Sequence, residues 1–297
     1  MKKILAALPS IRPPFLLLAP ICVCFGASIA SYQQGSFNSL HFVLAIIGAL
    51  FAAIAVNTLN EYQDFQSGLD LNTIKTPFSG GSGLLGKHPE LAPTVLAFAI
   101  FSSLLIFLIG CYFLYTIGSD IIAIGLIGLA VIWLYTKWLN KLPFICLISP
   151  GLGFGILMVL GSYFVVTGTH NPLVWQLAVI PFLLVNNLLL LNQYPDIDAD
   201  QAAGRNHIVI KYGIKVANMT YLLISLLTLI TIIVLYLSYQ LPLLFLTALI
   251  PSSLCLIVFK GMLLHGKHIA EHPIYLVMNV IAANVTPIVI ALVLVMA

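Results

Sequence analysis

Residues 39–64 read SLHFVLAIIGALFAAIAVNTLNEYQD, an apolar run that closes on Asn60, Glu61 and Asp64. About 20 residues of such a run suffice to cross a hydrocarbon core of about 30 Å as a helix. Acids set directly behind it mark the level at which the chain leaves the apolar layer, where ionisable groups are costly unless they face a polar cavity, pair or bind ions. The same ending recurs further on. Leu59-Asn60-Glu61-Tyr62-Gln63-Asp64 and Leu191-Asn192-Gln193-Tyr194-Pro195-Asp196 both read Leu-Asn-x-Tyr-x-Asp, at an offset of 132 residues (196 − 64).

Outward from these two stretches, comparable apolar runs fill the chain. The composition is 61% hydrophobic and 7% charged over 297 residues, against roughly one quarter charged in a soluble domain. The runs predict an all-α polytopic membrane protein, one domain over residues 1–297, with nine transmembrane helices near 13–32, 39–62, 92–116, 119–138, 143–167, 173–194, 214–238, 241–260 and 273–296. The first run has no small-residue cleavage site and reads as a retained helix. All twelve Lys and Arg fall in the N-terminal segment or around the connections after helices 2, 4, 6 and 8. Since basic residues stay in cytoplasmic loops, this predicts a cytoplasmic N-terminus and a C-terminus on the opposite side. The net charge of +3 then reflects topology and anionic lipid rather than nucleic acid, and no protein partner is implied.

Six of the nine acidic residues lie in two stretches: Glu61, Asp64 and Asp70, then Asp196, Asp198 and Asp200. Four helices separate the two motifs, so both return to one face, which makes the duplicate a parallel internal repeat around a central cavity. Asn60 and Asp64, four apart, stack on one helix face. Asn192, Asp196 and Asp200 would do the same if the helix continued past Pro195. Oxygen ligands at this spacing suit Mg²⁺, which binds through one or two carboxylates plus phosphate oxygens. Asn60, Asp64, Asp196 and Asp200 are therefore the expected metal ligands and catalytic groups, gripping a diphosphate between two faces. Lys75, Arg205, Lys211 and Arg12 are candidate anion contacts, and Tyr62, Tyr194 and Tyr135 candidate aromatic shields for a cation. The glycine-rich stretch at 76–83 would add backbone N–H groups. Elsewhere the bland readings hold. The five cysteines sit in helices without metal-ligand spacing and read as small core residues. His265, His268 and His272 read as a solvated loop, and Asp120 as an N-terminal helix cap.

At these residues the chain resembles the UbiA-type membrane prenyltransferases. Their Asn-Asp-x-x-Asp motif appears as Asn60-Glu61-Tyr62-Gln63-Asp64, and Asp-x-x-x-Asp as Asp196-Ile197-Asp198-Ala199-Asp200. Gly68 followed by Asp70 resembles the dihydroxynaphthoate branch that makes menaquinone, whereas the 4-hydroxybenzoate branch usually has its third acid at the position of Gly68. Arg12-Pro13, Tyr135-Thr136, residues 161–168 and residues 198–213 match that branch in order. Three positions depart from the family pattern: Glu61 for Asp, Pro195 inside the second motif, and Phe154 where many relatives carry Glu.

The resemblance implies Mg²⁺-dependent transfer of a polyprenyl group from its diphosphate to an aromatic acceptor, with 1,4-dihydroxy-2-naphthoate the first candidate. Asn192 and Asp70 would then join the substrate contacts. The implied place is the bacterial inner membrane, with the site facing the cytoplasm and product leaving into lipid. Prenylation of 4-hydroxybenzoate or another lipid-quinone or pigment precursor is the alternative acceptor reading. A secondary transporter is the alternative from another class, although transporters usually place their coupling acids near the bilayer midplane.

Overall fold

Among the described residues nine apolar helices build the bundle, and their ends follow from local chemistry. The computed structural model describes residues 2–35, 38–69 and 81–297. In chain order the helices are α1 (Leu18–Gln34, entered through a 3-10 turn at Pro13–Leu17), α2 (Ser39–Gln66), α3 (Ala92–Ile117), α4 (Ile121–Leu134), α5 (Pro143–Thr167), α6 (Pro172–Asn192), α7 (Ile208–Tyr239), α8 (Leu249–His265) and α9 (Pro273–Met296). Asn38 caps α2 by accepting from the His41 N–H at 3.1 Å. Asn171 does the same for α6 through the Leu173 N–H at 2.8 Å. Proline, whose missing N–H is no loss in a first turn, opens α5, α6 and α9.

Eight of the nine, with their flanking turns, are long and apolar enough to cross a membrane, and α4, at 14 residues, is the short one. Its length of about 21 Å falls short of the hydrocarbon core. Past Leu134 the chain continues in turns and a 3-10 segment, Leu139–Lys141, which brings Tyr135 and Thr136 to the helix ends that carry the motifs. Irregular backbone at such depth is tolerated where it lines a cavity or is buried in protein. The large side chains left exposed on the outer faces, such as Leu126, Leu237 and Ile250, are those of a surface solvated by lipid rather than water. The chain is an integral membrane protein.

Two helices depart from regular winding. α7 is interrupted at Gly213, which adopts φ 80°, a conformation that costs glycine little; the regular helix therefore starts at Ile214, as the apolar pattern predicts. In α5, Pro150 is followed by a π-helical segment, Gly151–Met158. There a Cβ on Gly155 would run into the Phe182 backbone of α6, and the Gly151 N–H donates to Asn186 Oδ1 at 2.9 Å. The wide turn thus seats α5 directly on α6.

The main core is formed by α1 and α5 to α9, while α2, α3 and α4 close on smaller clusters. α2 packs along α3 and α6 along α7, the pairing expected of a parallel repeat. Between the two motif helices lies a cavity of about 370 Å³ bounded by α1 to α6. It extends from Asn60, Tyr135 and Asn192 at the motif ends of their helices to Phe113, Ile121 and Val165 near the opposite ends.

Two minor expectations change. Cys22, Cys146 and Cys255 are buried, but Cys24 and Cys111 lie exposed on helix faces, since a small apolar thiol is equally at home against lipid. Asp120 makes no cap hydrogen bond; its carboxylate turns to His170 Nε2 at 3.1 Å and ties the α3–α4 connection to the α5–α6 connection.

Candidate active site

The first motif rides on an unbroken helix. α2 continues to Gln66, past the expected end at residue 62, so Asn60 and Asp64 are one turn apart on the same face. Asn60 lines the cavity, and its Oδ1 accepts from the Thr136 hydroxyl. Glu61 points elsewhere and is fully buried. Its Oε2 accepts from Arg12 Nη2 at 3.0 Å and from the Ser82 N–H at 2.8 Å, and its Oε1 from the Ser82 hydroxyl at 2.5 Å. One turn earlier, Asn57 Nδ2 donates to the Ile11 carbonyl at 2.9 Å. Asn57 and Glu61 together tie the N-terminal arm to α2.

The second motif is built differently. α6 ends at Asn192, because Pro195 has no N–H to continue the helix and restricts the residue before it. The continuation past Pro195 that would stack Asn192 with Asp196 and Asp200 is therefore absent. Instead a separate short helix, Ile197–Ala202, starts from Asp196, and the Asp200 N–H donates to the Asp196 carbonyl at 2.8 Å. Asn192 stays behind on the cavity wall, where its Oδ1 is buried without a hydrogen-bond partner among the described residues.

Arg205 joins the two motifs. Its Nη1 donates to Asp200 Oδ1 at 2.9 Å, and its Nη2 pairs with Asp64 Oδ1. Asp200 Oδ2 faces His207 Nε2 at 3.1 Å. Burial alone would favour a neutral Arg205, but Asp64 and Asp200 outweigh it and raise its pKa above the usual arginine value. Each bond here is charge-assisted, and the guanidinium fork matches two carboxylates at once. Among the described residues no group of three or more His, Cys, Asp or Glu side chains is placed to hold a metal ion.

The other candidates divide cleanly. Tyr135 lines the cavity, with its hydroxyl 3.7 Å from Cys146 Sγ. Tyr62 packs beside Leu85, Leu91 and Val95, in a cluster away from the cavity. Tyr194 is buried and donates to Asn218 Oδ1 at 2.6 Å, so it anchors the end of α6 to α7. Lys211 is exposed at the start of α7. Asp70, Lys75 and most of the glycine-rich stretch lie outside the described residues. His207 carries no role in the sequence reading, its one signal being its place seven residues after Asp200, whereas Ser82 belongs to the glycine-rich stretch expected to offer N–H groups and gives its own to Glu61.

A membrane bundle with duplicated acidic motifs joined beside an apolar cavity is a specific arrangement, and comparison with known families decides what it belongs to. The family model described as the UbiA prenyltransferase family matches residues 18–281. The chain is a member of the UbiA prenyltransferase family. It is 31% identical to a 1,4-dihydroxy-2-naphthoate octaprenyltransferase of Bacillus subtilis over 207 residues, covering 69% of this chain and 65% of that protein. The chain thus spans slightly under two thirds of the length of that relative. It is 29% identical to the Escherichia coli protein of the same name, over 70% of this chain and 68% of the relative. Among solved structures, a UbiA homolog from Aeropyrum pernix K1 superposes with a TM-score of 0.71 at 15% identity, covering 95% of this chain and 98% of that one. A UbiA homolog from Archaeoglobus fulgidus bound to DMAPP and Mg²⁺ gives 0.67 at 14% identity, covering 98% and 99%. These structures establish the UbiA fold for the bundle.

Proposed function

We propose that this UbiA-family chain transfers a polyprenyl group from a polyprenyl diphosphate to an aromatic quinone precursor, with 1,4-dihydroxy-2-naphthoate the first candidate, as a step in menaquinone formation. The observation that carries this reading is the convergence of Asp64 and Asp200 on Arg205 beside a cavity that is apolar along its length and polar at Asn60 and Asn192. The name shared by the Bacillus and Escherichia relatives supports the acceptor, and the Archaeoglobus homolog supports an allylic diphosphate with Mg²⁺.

The donor set fits such an ion. Every candidate ligand is a hard oxygen, and Asn192 adds a buried oxygen with no partner among the described residues. Mg²⁺ asks for only one or two carboxylates when phosphate oxygens complete its shell. Asn60, Asp64, Asp196 and Asp200 would hold it, where it would offset the charge growing on the leaving diphosphate.

The remaining roles belong to the chain itself. Arg205 binds diphosphate oxygens through its planar fork. The walls at Val56, Ile109, Leu129, Leu157 and Leu188 take up the isoprenoid tail. Tyr135 presents an aromatic face within the same cavity as the allylic carbon becomes cation-like. The electron-rich ring of the acceptor attacks that carbon, and with dihydroxynaphthoate the ring carboxylate leaves as CO₂. Helices sided as the basic residues require would put this chemistry on the cytoplasmic face of a bacterial inner membrane.

A membrane assay offering dihydroxynaphthoate and 4-hydroxybenzoate side by side, with one polyprenyl diphosphate and Mg²⁺, tests the reading. Prenylated naphthoquinol product and released diphosphate are expected. Prenylation of 4-hydroxybenzoate alone would move the chain to the other acceptor. Absence of acceptor-dependent diphosphate release would reject prenyl transfer and favour a transporter.

A further inference from the structure

The position of Arg205 raises a question about order of binding. Its two nitrogens engage Asp64 and Asp200, one carboxylate from each motif. These are two of the carboxylates that the proposed function assigns to the divalent ion, and the present inference rests on that assignment. The two carboxylates and one guanidinium carry a net charge of −1. A divalent ion added without moving Arg205 would put two cations against the same oxygens, a strongly unfavourable contact where water is scarce. An ion that takes the two engaged Oδ1 atoms therefore displaces the guanidinium. Asp200 need not lose its orientation when that happens, because His207 holds its other oxygen at 3.1 Å. Arg205, however, would be left as an uncompensated and largely buried charge, which is costly. A diphosphate offers it oxygens in the geometry its fork prefers.

We propose that Arg205 is a displaceable internal counter-ion: it occupies Asp64 and Asp200 in the resting protein and yields them to the divalent ion when a diphosphate takes up its guanidinium. Metal and diphosphate then bind as a coupled pair, each making room for the other, and by linkage each raises the affinity of the other by the same factor. The resting site thus holds free metal weakly and holds it more firmly once a diphosphate is bound.

The test is a Mn²⁺ titration of the full chain in detergent, read by the electron paramagnetic resonance signal of the free ion, with and without inorganic pyrophosphate and with a protein-free control for chelation. In the wild type, pyrophosphate is expected to tighten Mn²⁺ binding by about tenfold. Arg205→Gln should bind Mn²⁺ about tenfold more tightly than wild type when pyrophosphate is absent, and should gain little from adding it. Arg205→Lys, which keeps the charge but cannot span both carboxylates, should fall between the two and serves if Arg205→Gln does not fold. Equal Mn²⁺ affinity in wild type and both variants without pyrophosphate would overturn the counter-ion role and leave the metal site standing. No Mn²⁺ binding by wild type in either condition would overturn the metal site and this inference with it.

Discussion

α2 carries the first motif with only 17% of its apolar stretch buried, whereas 67% of the apolar stretch of α6 is buried, in a helix that stops before its acids begin. The first motif is straight in construction and is held from outside, by Thr136, Arg205, Arg12 and Ser82. The second is broken at Pro195 and is held by its own downstream residues, Arg205 and His207. The two motifs share the spacing of their oxygen donors and differ in the structure that supports them. An exposed helix needs distant residues to fix its end, while a helix locked in the core can turn sharply and supply its own supports.

Five substitutions break or sharpen that contrast. The largest effect is expected from Asp64→Ala or Asp196→Ala, one in each motif. Each should lower turnover by more than about 100-fold while the protein is still extracted from membranes as a folded species. Full activity in either variant would end the equivalence of the two motifs. Next, Glu61→Ala tests whether the first motif depends on outside support. It should destabilise the protein by about 3–5 kcal/mol, the cost of stranding Arg12, seen as a lower thermal midpoint, with Mn²⁺ affinity unchanged. A loss of metal affinity instead would make Glu61 a ligand.

Pro195→Ala probes the break itself. With the helix free to run on, the acids would be re-aimed and turnover should fall by about 10-fold to 100-fold without loss of fold. Unchanged turnover would mean that the interruption is incidental. The smallest change is Tyr194→Phe, which removes one buried hydrogen bond to Asn218 and should cost about 1 kcal/mol of stability with kcat unaltered. A kcat effect would return Tyr194 to the list of groups that touch substrate.

Much of this architecture is legible in the sequence because it is local. The starts of α2, α5 and α9 follow from a cap or a proline, and the nine-helix count from apolar runs. Asn60 and Asp64 pair because helical spacing alone dictates it, and Arg205 is a candidate contact in a sequence that places it five residues after Asp200. What escaped depends on tertiary approach. Glu61 is one more member of the first acidic cluster in the sequence, and only the fold brings Arg12 and Ser82, 49 and 21 residues away, against it. Tyr62 and Tyr194 are aromatic residues beside a motif, and only the packing shows that they face a side cluster and α7. The end of α4 at Leu134, short of the expected 138, leaves little mark because Tyr135, Trp138 and Leu139 carry the apolar pattern past it.

The π-helical stretch of α5 has a consequence for how the chain tolerates length change. Its wide turn stores the equivalent of an extra residue, so deleting one residue within Gly151–Met158 can be absorbed by rewinding to ordinary helix. The same deletion between Ser39 and Asn60 would rotate Asp64 by about 100° relative to the start of α2 and swing it away from Arg205. Indels among descendants of this gene are therefore expected to accumulate in the first place and to be purged from the second.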